Sequence, residues 1–96
     1  MTEVLSLWKG PLQSPGIDQR SMREIVRDIA EKNGYTLAEV RSREIAKSVV
    51  RVRQMAMYEL YGTGRYSSTK IGQFFDRDHT TVLHAIKAVH QRLVAE

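Results

Sequence analysis

From Ser21 onward the apolar positions recur at intervals of three and four, so the chain reads as a succession of helices. Ser21-Met22-Arg23-Glu24 has the capping-box spacing, in which serine and glutamate satisfy each other's free backbone N–H groups. Met22, Ile25, Val26, Ile29 and Ala30 follow at helical intervals, and Asn33-Gly34 supplies a C-terminal stop. Thr36-Leu37-Ala38-Glu39 is a second capping box, opening a short helix that ends near Arg41. A third helix runs from Ala46 or Lys47 to Leu60, with Val49, Val52, Ala56 and Leu60 on one stripe and Gly62-Thr63-Gly64 closing it. A fourth, short helix takes Ser68 to Phe75. The fifth begins at Asp78 or His79 and runs to about Ala95, with Val82, Ile86, Val89 and Leu93 as its apolar ridge. No stretch alternates as a strand does. The expected fold is all-α, a compact domain of five helices.

Upstream of Ser21 the helical period is lost. Gly10-Pro11 and Ser14-Pro15-Gly16 punctuate residues 1–19, which therefore read as an irregular N-terminal arm ahead of a domain spanning 20–96. Val4, Leu5, Leu7 and Trp8 suit docking of that arm on the body or on a partner.

Composition narrows the class. Ninety-six residues are enough for one core and one domain, and the absence of cysteine excludes disulfide frameworks and cysteine-based zinc sites. No apolar run reaches the length of a membrane span, and the N-terminus has no signal-peptide pattern. These features suit a small soluble domain of the cytoplasm. The net charge is +4, and its distribution says more than its size. Residues 1–34 hold five basic and five acidic side chains, so the whole excess lies downstream. There Arg41, Arg43, Lys47, Arg51 and Arg53 crowd together with only Glu44 opposing. That cluster is either the footprint of a polyanion partner or a solvated helix face.

Residues 68–90 have the form of a helix-turn-helix. A short helix carries Ile71, Phe74 and Phe75, a tight polar turn follows at Asp76-Arg77, and a longer helix begins near Asp78. Gly72 is small enough to let two helices approach closely, and Asp78 suits an N-cap. The first turn of the second helix presents His79, Thr80 and Thr81, short polar groups at the place where such motifs meet base edges in the major groove. His84, Lys87 and Arg92 lie further along, where phosphate contact is the expected role. An ordinary helical hairpin with a capped second helix has the same spacing.

The string Arg77-Asp78-His79-Thr80-Thr81-Val82-Leu83-His84-Ala85 closely resembles the signature of the C-terminal DNA-binding domain of the bacterial replication initiator DnaA. Arg53-Gln54-Met55-Ala56-Met57-Tyr58 and Ile71-Gly72-Gln73-Phe74-Phe75 resemble its other blocks, in order, and the likeness covers about residues 21–94. It implies a compact helix-turn-helix domain similar to the tryptophan repressor and a double-stranded DNA partner. It also implies Asp78, His79 and Thr80 as base readers. Lys47, Arg53, Arg77, Thr81, His84 and Lys87 fall at the phosphates, and Ser68 and Thr69 against the duplex backbone. Arg41, Arg43 and Arg51 are candidate loop contacts. A role in replication initiation control or transcription regulation, in association with the nucleoid, follows from the same likeness.

Two positions depart from the family. Where the family carries a minor-groove arginine in a basic loop, this chain has Ile45 beside Glu44, so its target sequence is expected to differ. Where the family's turn has glycine, this chain has Asp76. The alternative is a protein-interaction module on the same scaffold, which the altered loop would suit. No phosphate-binding loop is present, so neither nucleotide nor catalysis is expected, and Met1-Thr2-Glu3 with its arm suggests a stand-alone protein lacking the ATPase module. His79, His84 and His90 are spaced five and six apart, which does not align two imidazoles on one helix face, so no metal or other cofactor is expected. Asp78 and His79 are adjacent, and on a helix adjacent side chains diverge. A monomer of this size should grip DNA modestly, leaving Leu5, Leu7 and Trp8 as candidates for self-association or a protein partner.

Overall fold

A computed structural model of the protein describes residues 20–95. The arm at 1–19, with Trp8, lies outside them. Five helices follow in order, α1 (Met22–Lys32), α2 (Leu37–Arg41), α3 (Lys47–Gly62), α4 (Ser68–Phe75) and α5 (His79–Ala95), and the described residues contain no strand. Both capping boxes form as the spacing predicts. The Ser21 oxygen accepts from Glu24 N and the Glu24 carboxylate from Ser21 N, while Thr36 and Glu39 repeat the exchange.

The central element is α3, which packs against each of the other four. Its buried face carries Val49, Val52, Ala56, Met57 and Leu60, and Val26, Val40, Ile71, Phe75 and Val82 close over it from α1, α2, α4 and α5. Each such aliphatic or aromatic side chain contributes about 1.5–3 kcal/mol on leaving water. Phe74 and Phe75 meet edge to face, with ring centroids 5.3 Å apart, so the end of α4 is anchored at the core. The Tyr35 hydroxyl donates to Ser48 Oγ at 2.6 Å and ties the α1–α2 connection to the first turn of α3.

Two details of the expected core differ. The buried face of α5 is Val82, Ala85 and Val89, while Ile86 is half-buried and Leu93 is 57 % exposed. Spacings of three and four both satisfy a helix, so the apolar pattern alone could not choose between Ala85 and Ile86. The helix α3 also runs two residues past Leu60, to Gly62, with Thr63 Oγ1 donating to the Leu60 carbonyl.

Candidate nucleic-acid interface

The relation of α4 to α5 depends on one glycine and one turn. A Cβ on Gly72 would stand 2.5 Å from the Arg77 carbonyl oxygen, so the chain entering α5 rests directly on the α4 backbone. After Phe75 the chain turns in a Schellman motif: Asp76 N donates to Gln73 O at 3.2 Å and Arg77 N to Gly72 O at 2.7 Å. This motif requires a left-handed residue, and Asp76 supplies it with φ 57° and ψ 48°. The missing family glycine thus falls at the backbone conformation for which glycine is best suited.

Asp78 then starts α5. Its Oδ2 accepts from Thr80 N at 3.0 Å, an N-cap bond, and the Thr80 hydroxyl and N–H together hold its carboxyl below the ordinary carboxylate range. Its Oδ1 is 3.8 Å from His79 Nδ1, beyond hydrogen-bond reach. The two side chains therefore approach more closely than expected, because Asp78 is the cap and not part of the helix. His79, Thr80, Thr81, His84 and Lys87 are all exposed, with Val82, Ala85 and Val89 turned inward. The polar string of the sequence is one solvent-facing surface. Ser68 and Thr69 open α4, at the far end of that helix from the turn.

The basic cluster is less uniform than its sequence. Lys47 and Arg51 are exposed on the first two turns of α3 and, like Lys87, pair with no carboxylate among the described residues. Arg53, expected at the phosphates, is instead buried, with 5 % of its surface exposed. Its Nε donates to Val40 O at 2.8 Å, and its Nη2 to Ser42 O at 3.0 Å and Glu44 O at 2.9 Å. Burial lowers its pKa from the usual arginine value, followed by the nearby Arg77, with Glu44 opposing. Its Nε and Nη2 donors are thus committed to backbone carbonyls, an internal role that the sequence pattern did not predict.

The other arginines join the loop to the turn. Arg41 Nε donates to Phe74 O at 2.9 Å and its guanidinium stacks 4.3 Å from the centre of the Phe74 ring. Arg43 pairs with Asp76 at 2.8 Å. Arg77 is half-buried and donates to Phe75 O at 2.7 Å and Ser42 O at 2.9 Å, a more internal role than phosphate contact. The loop between α2 and α3 is therefore bound to the helix-turn-helix by side chains from both.

The two unusual loop residues separate by role. The Glu44 carboxylate accepts from Ala46 N at 3.2 Å, beside the N-terminus of α3, where a negative charge opposes the exposed end of the helix dipole. Its acidity thus has a local partner. Ile45 is 83 % exposed, directly after a stretch that Arg53 holds through the Ser42 and Glu44 carbonyls. Sequence reasoning missed the inward turn of Arg53, although Val49, Val52, Arg53, Ala56, Met57 and Leu60 form one helical face, and that phase was the available signal.

Residues 22–89 match the family model described as the bacterial dnaA protein helix-turn-helix. The chain is similar to chromosomal replication initiator proteins DnaA. It is 44% identical over 69 residues to that of Thermus thermophilus, covering 71% of this chain and 16% of the relative. It is 35% identical over 72 residues to that of Deinococcus radiodurans, covering 75% and 16%. It is also 30% identical over 91 residues to DnaA 1 of Chlamydia pneumoniae, covering 95% and 20%. The chain therefore spans a fifth or less of the length of these relatives. No helix among the described residues is long and apolar enough to cross a membrane.

Proposed function

The chain belongs to the bacterial DnaA helix-turn-helix family, and from that premise we propose that it binds double-stranded DNA sequence-specifically. Asp78, His79 and Thr80 read base edges in the major groove. Lys47, Arg51, Thr81, His84 and Lys87 meet phosphates, with Ser68 and Thr69 against the duplex backbone. The observation that carries this reading is the exposed polar first turn of α5, backed by Gly72 and the Asp76 turn, with Lys87 exposed further along the same helix. A packed helical hairpin has no need of that arrangement. Control of replication initiation is the process that the names of the relatives suggest.

The competing reading, a protein-interaction module, drew on Glu44 and Ile45. The hydrogen bond from Ala46 N gives the Glu44 carboxylate a local partner and weakens the support drawn from Glu44. One domain buries only a modest DNA surface, so a second contact is part of the proposal, with Leu5, Leu7 and Trp8 as its candidate residues.

Titration with duplex DNA over a range of salt concentrations tests the function. With three exposed lysines and arginines at phosphates, log K should fall against log salt with a slope of about −3. Selection from random duplexes should then yield a preferred sequence. Failure to bind any duplex at low salt would overturn the reading.

A further inference from the structure

The turn of the helix-turn-helix carries a carboxylate on a backbone that resists side chains. Among the described non-glycine residues only Asp76 has a positive φ. Glycine would serve the Schellman motif without adding charge, whereas aspartate brings a negative group to a surface that must approach phosphates. Among the described residues that carboxylate has one side-chain partner: Asp76 Oδ2 accepts from Arg43 Nη2 at 2.8 Å, across 33 positions of sequence. The two side chains are 86% and 72% exposed, so a competing anion has access to both. Around them lie the guanidiniums of Arg53 and Arg77, already committed to backbone carbonyls. Arg43 is thus the loop arginine that pairs with a charge and not with the protein's own backbone.

We propose that Asp76 sets the affinity of this domain for DNA by occupying the Arg43 guanidinium that a phosphate would otherwise take. The inference rests on the duplex-binding function proposed above. A phosphate arriving at Arg43 would stand beside the Asp76 carboxylate, and two anions at such a distance repel, so the pair opposes contact instead of aiming the arginine. An exposed ion pair is weak, which makes Asp76 a tuner worth about two- to five-fold in affinity and not an off switch.

The test uses the full chain with Asp76→Asn, which tolerates the left-handed backbone, and Asp76→Gly, which removes the carboxylate and suits that backbone. Each is compared with the wild type by fluorescence anisotropy on selected and random duplexes, after circular dichroism has shown equal helix content. Both variants should bind about two- to five-fold more tightly on either duplex. Their salt slope should steepen by about 0.9, the value of one further phosphate. In an Arg43→Gln background the Asp76→Asn gain should vanish. A gain that persists there would mean simple repulsion from Asp76, and overturns the proposal. Weaker binding by Asp76→Asn would mean that the carboxylate aims Arg43, and overturns it equally. If wild type binds and the variants match it, the proposal fails while the function stands. If neither wild type nor variants bind at low salt, both fall.

Discussion

Arg53 and Arg77 donate to the same atom, the carbonyl oxygen of Ser42, at 3.0 and 2.9 Å. One guanidinium comes from the middle of α3 and the other from the turn before α5. The loop at 42–46 is thereby fixed to the central helix and to the turn that leads into α5 at once. Two like charges converge there, and the carbonyl oxygens of Val40, Glu44 and Phe75 supply the remaining acceptors.

Arg53→Ala should therefore be a stability variant before it is a binding variant. It takes the side-chain donor from the Val40 and Glu44 carbonyls, leaves Ser42 O to Arg77 alone, and opens a gap beside Val52 and Ala56, at a cost of about 3 kcal/mol. For a domain of this size that lowers Tm by more than about 10 °C. Arg53→Lys keeps the charge but cannot fork to three acceptors, and should fall between. Thermal melts followed by circular dichroism measure this. A variant that melts like wild type but has lost affinity for every duplex would return Arg53 to the phosphates.

Gly72→Ala should damage the motif without touching any polar contact. Its methyl group would overlap the Arg77 carbonyl, which is backbone and cannot rotate aside. Forced displacement of α5 from α4 costs about 2 kcal/mol, and the variant should lose sequence preference along with stability. Unchanged melting would mean that α4 and α5 lie further apart than the structure has them.

The helices were legible because their determinants are local. Ser21 with Glu24 and Thr36 with Glu39 mark their helix starts within four residues, and the apolar period does the rest. The exposed string from Asp78 to Thr81 was legible for the same reason, since a cap and its first turn are neighbours in sequence. The division of the arginines was not. The same guanidinium serves a phosphate or a backbone carbonyl, and the choice for Arg41, Arg43 and Arg77 depends on Phe74, Asp76 and Ser42, which lie about thirty residues away in the chain. Likewise the sequence marks Asp76 as a departure from the family's glycine, but its left-handed backbone and its pairing with Arg43 become visible only in the structure.

Asp78 carries a pH dependence whose sign follows from its depressed carboxyl. Bonds from the Thr80 hydroxyl and N–H favour the charged form in the folded state. The associated stability is complete above the unfolded value of about 3.9 and is lost as pH falls through the lower folded value. Asp78→Asn keeps a good cap but cannot titrate. The difference in Tm between the two proteins should be constant above pH 5 and shrink steadily towards pH 2. A difference that grows with acid would contradict the cap geometry.

His79 and Lys87 stand two turns apart on the same exposed side of α5, about 12 Å along its axis, and they should fail in different ways. A base contact is worth about 1–3 kcal/mol of discrimination. His79→Ala should therefore cut the ratio of selected to random affinity by about five- to a hundred-fold while leaving random binding nearly intact. Lys87→Gln removes a charge that no described carboxylate neutralises, so it should weaken both duplexes alike and flatten the salt slope by about 0.9. Neither residue is buried, so equal melting temperatures make the comparison direct. If both variants lowered selected and random binding by the same factor, His79 would be an anchor, and base reading would have to lie elsewhere on α5.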